Sequence, residues 1–297
     1  MNQRRRHPQK DRSGRIVFWR TPELPGVEGR QAFGSHATYR AHTHSALSIG
    51  RVDRGRSTLR IGKRAIPLKS GDVVVIAPGQ VHSCNPRNVK SWSYRMFYID
   101  PDWFVSGPGK LPAFPNAVLS GSAVAKLVDR LEQALCARTG SAKRSLTFRN
   151  AVSAILQRCT KLSFQTKSGR ASCVGKARAF IDAHCFDRVT LSCLANVAET
   201  SPYRLIRQFK QTVGLTPHAY QLDRRINLTR DMLQRGHRIA DVAYAAGFSD
   251  QSHFQRAFKT RVAATPLEYQ SGRSPTPGRQ PRQPPDRSNK NQQDPRF

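Results

Sequence analysis

Between residues 195 and 269 the chain repeats itself. Arg207, Phe209, Lys210, Thr216, Pro217 and Tyr220 recur 49 positions later as Arg256, Phe258, Lys259, Thr265, Pro266 and Tyr269. Ala195 and Ala243 are 48 apart, so the second copy carries one extra residue at a turn. A unit this short holds two helices and a turn, with a basic residue in each second helix. Two such units in tandem predict a helical domain able to meet two adjacent stretches of DNA.

In the first copy Leu191, Leu194, Ala195 and Ala198 follow the i, i+3, i+4, i+7 pattern of a short amphipathic helix. Ser201 is an expected N-cap and Pro202 suits the first helical position. The helix that follows buries Leu205, Phe209 and part of Ile206, which leaves Tyr203, Arg204, Arg207 and Gln208 outward until Gly214 stops it. In the second copy Ile239, Val242, Ala243 and Ala246 form the first helix, Gly247-Phe248-Ser249 turns, and Asp250 caps. The next helix buries Phe254, Ala257 and Phe258 and presents Gln251, Ser252, His253, Gln255 and Arg256. Only the major groove admits a helix and distinguishes all four base pairs; Arg suits guanine O6 and N7, Gln suits adenine N6 and N7. Pro217–Gln234 joins the copies, with Thr216 as cap and Gly236 as stop, and as one helix would span roughly 27 Å.

Charge supports a polyanionic partner without locating it. The chain has 297 residues and a net charge of +31. Residues 170–270 hold 15 Lys and Arg against 8 Asp and Glu, a net of +7, whereas residues 13–169 hold 24 against 8, a net of +16. The excess is therefore larger outside the repeat, and 37 Arg against 13 Lys fits a compositional preference for Arg as well as it fits phosphate binding. The six cysteines form no C-x-x-C pair and are expected to be reduced, buried thiols. No apolar run is long enough to span a membrane, and the basic N-terminus lacks the apolar stretch of a secretory signal, so no membrane contact and a cytoplasmic location are expected.

The first half reads as short strands broken by turns: Ser45–Val52, Ser57–Ile61, Arg64–Leu68 after a tight Gly62-Lys63 turn, Val73–Ala77, and Ser91–Ile99. This pattern predicts a small barrel or sandwich. Two amphipathic helices follow, Ser122–Leu135 with Val124, Leu127, Val128, Leu131 and Leu135 on one stripe, and Ser145–Leu162 with Phe148, Val152, Ile155, Leu156 and Cys159. They either pack on the sheet or form a dimer seam. The expected layout is a basic disordered tail (1–14), the strand-rich domain (15–162), a linker (163–172), the helical domain (173–270) and a second disordered tail (271–297).

Residues 174–270, above all SPYRLIRQFKQTVGLTPHAY and IADVAYAAGFSDQSHFQRAFKTRVAATPLEYQ, resemble the DNA-binding domain of the AraC/XylS family of bacterial transcription regulators. The resemblance implies two helix–turn–helix motifs joined by a long helix, and binding as an activator near promoters with RNA polymerase as a partner. It places Tyr203, Ile206 and Arg207 of the first unit, and Gln251, Ser252, Gln255 and Arg256 of the second, against bases. The fold class implied is a multidomain α+β chain, an all-α DNA-binding domain behind a cupin-like β-barrel with packed helices, working as a homodimer.

His42, His44 and His82 invite two readings. With Gly71-Asp72 and Pro78-Gly79 they resemble the cupin barrel in outline, where three imidazoles suit a first-row metal. The carboxylate expected four or five residues after His44 is missing, since Ser48 and Ile49 stand there. The resulting expectation is no metal, no cofactor and no catalysis. His42, His44, His82 and Trp92 then line an effector pocket, and Arg40, Arg51, Arg54, Arg56 and Arg60 hint at an anionic effector. The alternatives are a cupin-type metalloenzyme with a DNA-binding appendage, or a ligand-independent regulator controlled by abundance or a protein partner.

Overall fold

The computed structural model describes residues 15–34, 39–86, 92–104, 116–136, 140–159 and 172–272. The expected N-terminal tail, all of the expected C-terminal tail but Ser271 and Gly272, and all of the expected linker but Ser172 lie outside these residues. Strands β1 (Arg15–Trp19), β2 (Val27–Phe33), β3 (Leu47–Arg54), β6 (Val73–Ile76), β8 (Ser93–Ile99) and β9 (Ala117–Leu119) make an antiparallel sheet in the order β1-β2-β8-β3-β6-β9. Strands β4 (Arg56–Ile61), β5 (Arg64–Lys69) and β7 (His82–Pro86) make a second sheet in the order β5-β4-β7. The predicted barrel is thus two sheets packed face to face and not closed on each other.

Register explains the apolar run at β6. Val74 and Ile76 face the smaller sheet and join Val52, Leu59, Ile61, Leu68, Trp92 and Tyr94. Val73 and Val75 face the other way, with Leu47, Ile49, Phe97 and Ile99, onto helices α1 (Ser122–Cys136) and α2 (Ser141–Cys159). Because both faces of the large sheet are covered, β6 is apolar without alternation. The turn at Gly62-Lys63 pairs Ile61 with Arg64 as expected, with Gly62 at φ 58°. Helix α2 starts four residues before the expected Ser145. Its first turn holds Arg144, whose buried guanidinium donates to the carbonyls of Ala134 (3.0 Å) and Leu135 (2.8 Å) at the end of α1. That contact ties the first turn of α2 to the last carbonyls of α1.

The C-terminal part folds as α3 (Cys173–Ala183), α4 (Leu191–Val197), α5 (Pro202–Val213), α6 (Pro217–Gln234), α7 (Ile239–Ala245), α8 (Gln251–Val262) and α9 (Pro266–Gln270). The duplication is visible in the caps. Ser201 accepts from the Arg204 amide and Asp250 from that of His253; Thr216 accepts from Ala219 and Thr265 from Glu268. Each unit has its own core: Leu194, Ala195, Leu205, Phe209 and Tyr220 in the first, and Val242, Ala243, Phe254, Phe258 and Tyr269 in the second. Helix α6 serves both, with Tyr220 in one and Ile226 and Leu233 in the other. Each unit also needs left-handed backbone at two points. The turn uses Glu199 (φ 51°) in the first copy and Gly247 (φ 70°) in the second, and the helix end uses Gly214 (φ 90°) and then Ala263 (φ 57°). Glu199 and Gly247 are 48 apart and the caps Ser201 and Asp250 are 49 apart, which places the extra residue directly before Asp250.

Candidate functional site

Helices α5 and α8 carry the expected outward faces. Tyr203 is 77% exposed, and Arg204 and Arg207 are exposed beside it. Ile206 sits at the edge of the same face at 36% exposure, apolar where a hydrogen-bonding group would read a base. Gln208 is half-buried, and its side-chain oxygen accepts from the Cys173 thiol at 2.8 Å, so this amide is turned toward the core of its unit. On α8, Gln251, Ser252, His253, Gln255 and Arg256 are all exposed. Asp250 anchors the start of α8 by accepting from the His253 amide at 2.7 Å. The buried side of each helix is aromatic, Phe209 in α5 and Phe254 and Phe258 in α8, so packing holds the rim that faces outward. The second unit offers the fuller polar face.

The sheet domain is docked on this pair of units. Val81 packs into the core of the first unit, and Phe18 of β1 into that of the second, its ring 5.0 Å edge-on from Tyr269. Between these apolar contacts runs a polar seam along α6. Glu28 of β2, buried, pairs with Arg230 of α6 (2.8 Å) and with Arg20, the residue after β1 (2.7 Å). It also accepts from the Tyr269 hydroxyl at 2.7 Å and the Gln234 amide at 2.9 Å. Burial alone would raise the pKa of Glu28, but Arg230, then Arg20 and the Tyr269 hydroxyl, outweigh it and hold the carboxyl below its ordinary value. One helical turn and more away, Asp223 accepts from the Thr43 amide (3.0 Å) and hydroxyl (2.5 Å), and Asn227 donates to the Thr43 carbonyl at 3.1 Å. Burial pushes the pKa of Asp223 up to about 6.

His42, His44 and His82 meet at this seam, as the sequence predicts. His42 and His82 exchange backbone hydrogen bonds of 3.0 Å, and the three rings lie 4.5 to 5.0 Å apart. All three are buried, and desolvation lowers their pKa values, that of His82 to about 4, so the imidazoles are neutral at pH 7. With Arg30, Thr43, Tyr98, Asp223, Asn227, Arg230 and Arg261, His42 and His44 line a crevice between the sheet domain and α6, of about 10 Å³, and the His82 ring packs against both histidines. That is the space of a single water.

Trp92 is not part of this crevice. It lies in the core between the sheets, its ring 5.4 Å from Tyr94, with no partner for its indole N–H among the described residues. The arginines that hinted at an anion are elsewhere too. Arg40, Arg54, Arg56 and Arg60 are exposed, and Arg51 is paired with Asp129 at 2.7 Å. The cations that do face the crevice, Arg30, Arg230 and Arg261, were not singled out from sequence. Arg30 donates to the Tyr39 hydroxyl at 2.6 Å, while its Nε is buried without a partner among the described residues. The cysteines form no disulfide among themselves, and Cys193 is exposed, against the expectation that all six are buried. Among the described residues no helix is long and apolar enough to cross a membrane.

Comparison with known proteins covers both halves. Residues 24–152 match the family described as an AraC-like ligand binding domain, and residues 194–272 match a helix-turn-helix domain family. The chain is similar to the HTH-type transcriptional regulator YbfI of Bacillus subtilis, 26% identical over 234 residues that cover 76% of this chain and 85% of the relative. It is also similar to the HTH-type transcriptional activator RhaS of Enterobacter, 32% identical over 154 residues, 50% of this chain and 54% of the relative. Among solved structures, ToxT of Vibrio cholerae with an unsaturated fatty acid bound has a TM-score of 0.54 at 13% identity, over 90% of this chain and 99% of that one. At that identity the likeness is one of fold.

Proposed function

We propose that the chain, which matches an AraC-like ligand-binding domain and a helix-turn-helix domain, is a transcription activator of the AraC type whose DNA grip is set by a small anionic effector at the seam between its two domains. The observation that carries the reading is the docking of the sheet domain along α6, the one helix shared by both DNA-reading units. Whatever alters that docking alters how the two units are held relative to each other.

Base contact falls to Tyr203, Arg204 and Arg207 on α5, with Gln208 limited by its tie to Cys173, and to Gln251, Ser252, His253, Gln255 and Arg256 on α8. Effector contact falls to His42, His44 and His82 together with Arg30 and Arg230. An anion is favoured because three guanidiniums, those of Arg30, Arg230 and Arg261, and the neutral imidazoles of His42 and His44 face the crevice, against the one carboxylate of Asp223, which Arg261 approaches to 3.8 Å. The fatty acid bound to ToxT is likewise a carboxylate. A crevice with room for one water cannot take a metabolite unless α6 moves away from the sheet domain, so effector binding and the closed seam exclude each other. Regulation by dimerisation and contact with RNA polymerase complete the proposal; the chain works in the cytoplasm and is not an enzyme.

The test measures DNA affinity of the full chain at fixed salt while carboxylates of increasing chain length are added. A carboxylate that shifts affinity in the wild type and not in Arg30→Met supports the reading. Affinity that responds to no carboxylate, or responds equally in the variant, removes the anionic effector from this crevice.

A further inference from the structure

Arg225, at the middle of α6, donates to both DNA-reading units at once. Its Nε bonds the carbonyl of Cys185 at 2.6 Å, and its Nη2 those of Phe186 at 3.2 Å and Asp187 at 2.8 Å, all in the loop between α3 and α4 of the first unit. Its Nη1 bonds the carbonyl of Gly247 at 3.1 Å, in the turn between α7 and α8 of the second unit. Gln221, one helical turn earlier, donates to Cys185 (3.1 Å) and Asp187 (2.9 Å) and holds the same loop. The sequence is shaped to this contact. Glu199 and Gly247 hold equivalent left-handed positions in the two turns. A Cβ at Gly247 would stand 2.7 Å from the Phe186 carbonyl oxygen, so the second copy needs glycine where the first carries glutamate. We propose that Arg225 is the positioning residue that sets the spacing of α5 and α8, and with it the distance between the two DNA stretches that the chain accepts.

The inference rests on the reading of α5 and α8 as the helices that enter DNA. Loop 185–187 leads into α4, which packs on α5 through Leu194, Leu205 and Phe209, and the turn at Gly247 leads into α8. A tie between loop and turn is therefore a tie between α5 and α8. A guanidinium suits the task, because one rigid plane carries donors that reach carbonyls on two sides. When the tie is cut, α6 still joins the units, with Tyr220 in one core and Ile226 and Leu233 in the other. A single helix lets each unit pivot about its own end, whereas the tied pair is ordered before it meets DNA and is intolerant of a wrong spacing. One base pair inserted between the two stretches moves the second by about 3.4 Å along the axis and turns it by about 34–36°. That displacement pulls one unit of a tied pair off its bases.

The probe is duplex DNA selected from a random pool on the full-length chain, then rebuilt with extra base pairs between its two protected patches. Affinity is measured at fixed salt for each spacing. In the wild type one inserted base pair is expected to lower affinity about tenfold or more, the worth of one good base contact. In Arg225→Ala affinity at the original spacing falls, and the same insertion costs about threefold or less, because units joined by a pivot tolerate a change of span. Arg225→Lys keeps the charge but replaces the fork by one ammonium, and follows Arg225→Ala. A general loss of stability lowers affinity at every spacing alike and leaves the profile steep, so the profile is the readout. Two patches in the wild type with an equally steep profile in both variants overturns the inference alone, as does a wild type indifferent to spacing. A wild type with no pair of patches ends the DNA reading and the inference together. Loss of the helical circular dichroism spectrum in both variants also overturns it, since Arg225 then holds the fold and not the spacing.

Discussion

Replacing Glu28 by Gln keeps the shape of the side chain and removes its charge. The carboxylate is 6% exposed and holds Arg20 at 2.7 Å and Arg230 at 2.8 Å, with Tyr269 and Gln234 on the remaining lone pairs. Breaking a buried pair by removing one partner costs about 3–5 kcal/mol, whereas an exposed pair is worth about 0–1. The substituted amide would still accept from Tyr269, and Arg20 is 20% exposed and partly rehydrated, which puts Glu28→Gln at about 2–4 kcal/mol. The loss falls on the docking of the two domains, because Glu28 belongs to β2 and its partners Arg230, Gln234 and Tyr269 to the helical domain. All three tryptophans, Trp19, Trp92 and Trp103, lie in the sheet domain, so fluorescence follows that domain and ellipticity at 222 nm follows mainly the helical one. In urea the two signals should move together in the wild type and separate in Glu28→Gln, with the helical transition at lower urea. The sign with pH is fixed as well. A carboxyl whose folded pKa is depressed contributes stability above its unfolded value, about 4.3, that is lost as pH falls through the folded value. Glu28→Gln should lack that loss. Coincident transitions within about 0.5 kcal/mol of the wild type would refute the clasp.

Asp223 behaves oppositely. Its pKa, raised by burial to about 6, makes the folded state gain stability as pH falls from about 6 toward 4, by on the order of 1–3 kcal/mol. The wild-type minus Asp223→Asn difference in urea midpoint should show that slope, and a flat difference contradicts it. Gly247→Ala sets a Cβ 2.7 Å from the Phe186 carbonyl oxygen at a φ of 70°. A melting shift equivalent to about 2 kcal/mol or more is expected, and a loss under about 0.5 would count against the turn geometry. Ala263→Gly relieves left-handed strain at a helix end where the first copy already has Gly214. It should stabilise by about 0.5–1 kcal/mol, and destabilisation would mean the lost methyl outweighs the strain.

What could be read from the sequence was what neighbours in sequence determine. Ser201-Pro202 and Thr216-Pro217 are cap and first-turn pairs, and α5 and α6 begin there; α6 runs over Pro217–Gln234 as expected. The outward faces of α5 and α8 followed from helical period alone. The alternation of His42 and His44, two residues apart, placed both on one side of the chain, and the bridge to His82 completed the set. The seam was not read because its partners are far apart in sequence, 202 residues for Arg230 and Glu28. A signal was nonetheless present: Asp223, Asn227, Arg230 and Gln234 form a polar stripe at spacings of 4, 3 and 4 along a connector helix. Polar residues at that period mark a face with a polar partner, here β2, Thr43 and α9. Trp92 was grouped with the histidines as a stacking residue, but the register of β8 turns its neighbourhood into the space between the sheets.

Chemical footprinting of the full chain on DNA upstream of the genes it binds tests the central claim most directly. Two protected major-groove patches about 10 base pairs apart are expected, one lost in Arg207→Ala and the other, with the larger loss of sequence discrimination (about 1–3 kcal/mol), in Arg256→Ala. A single patch, or two patches that both survive in both variants, would contradict the assignment of α5 and α8 as the helices that read DNA.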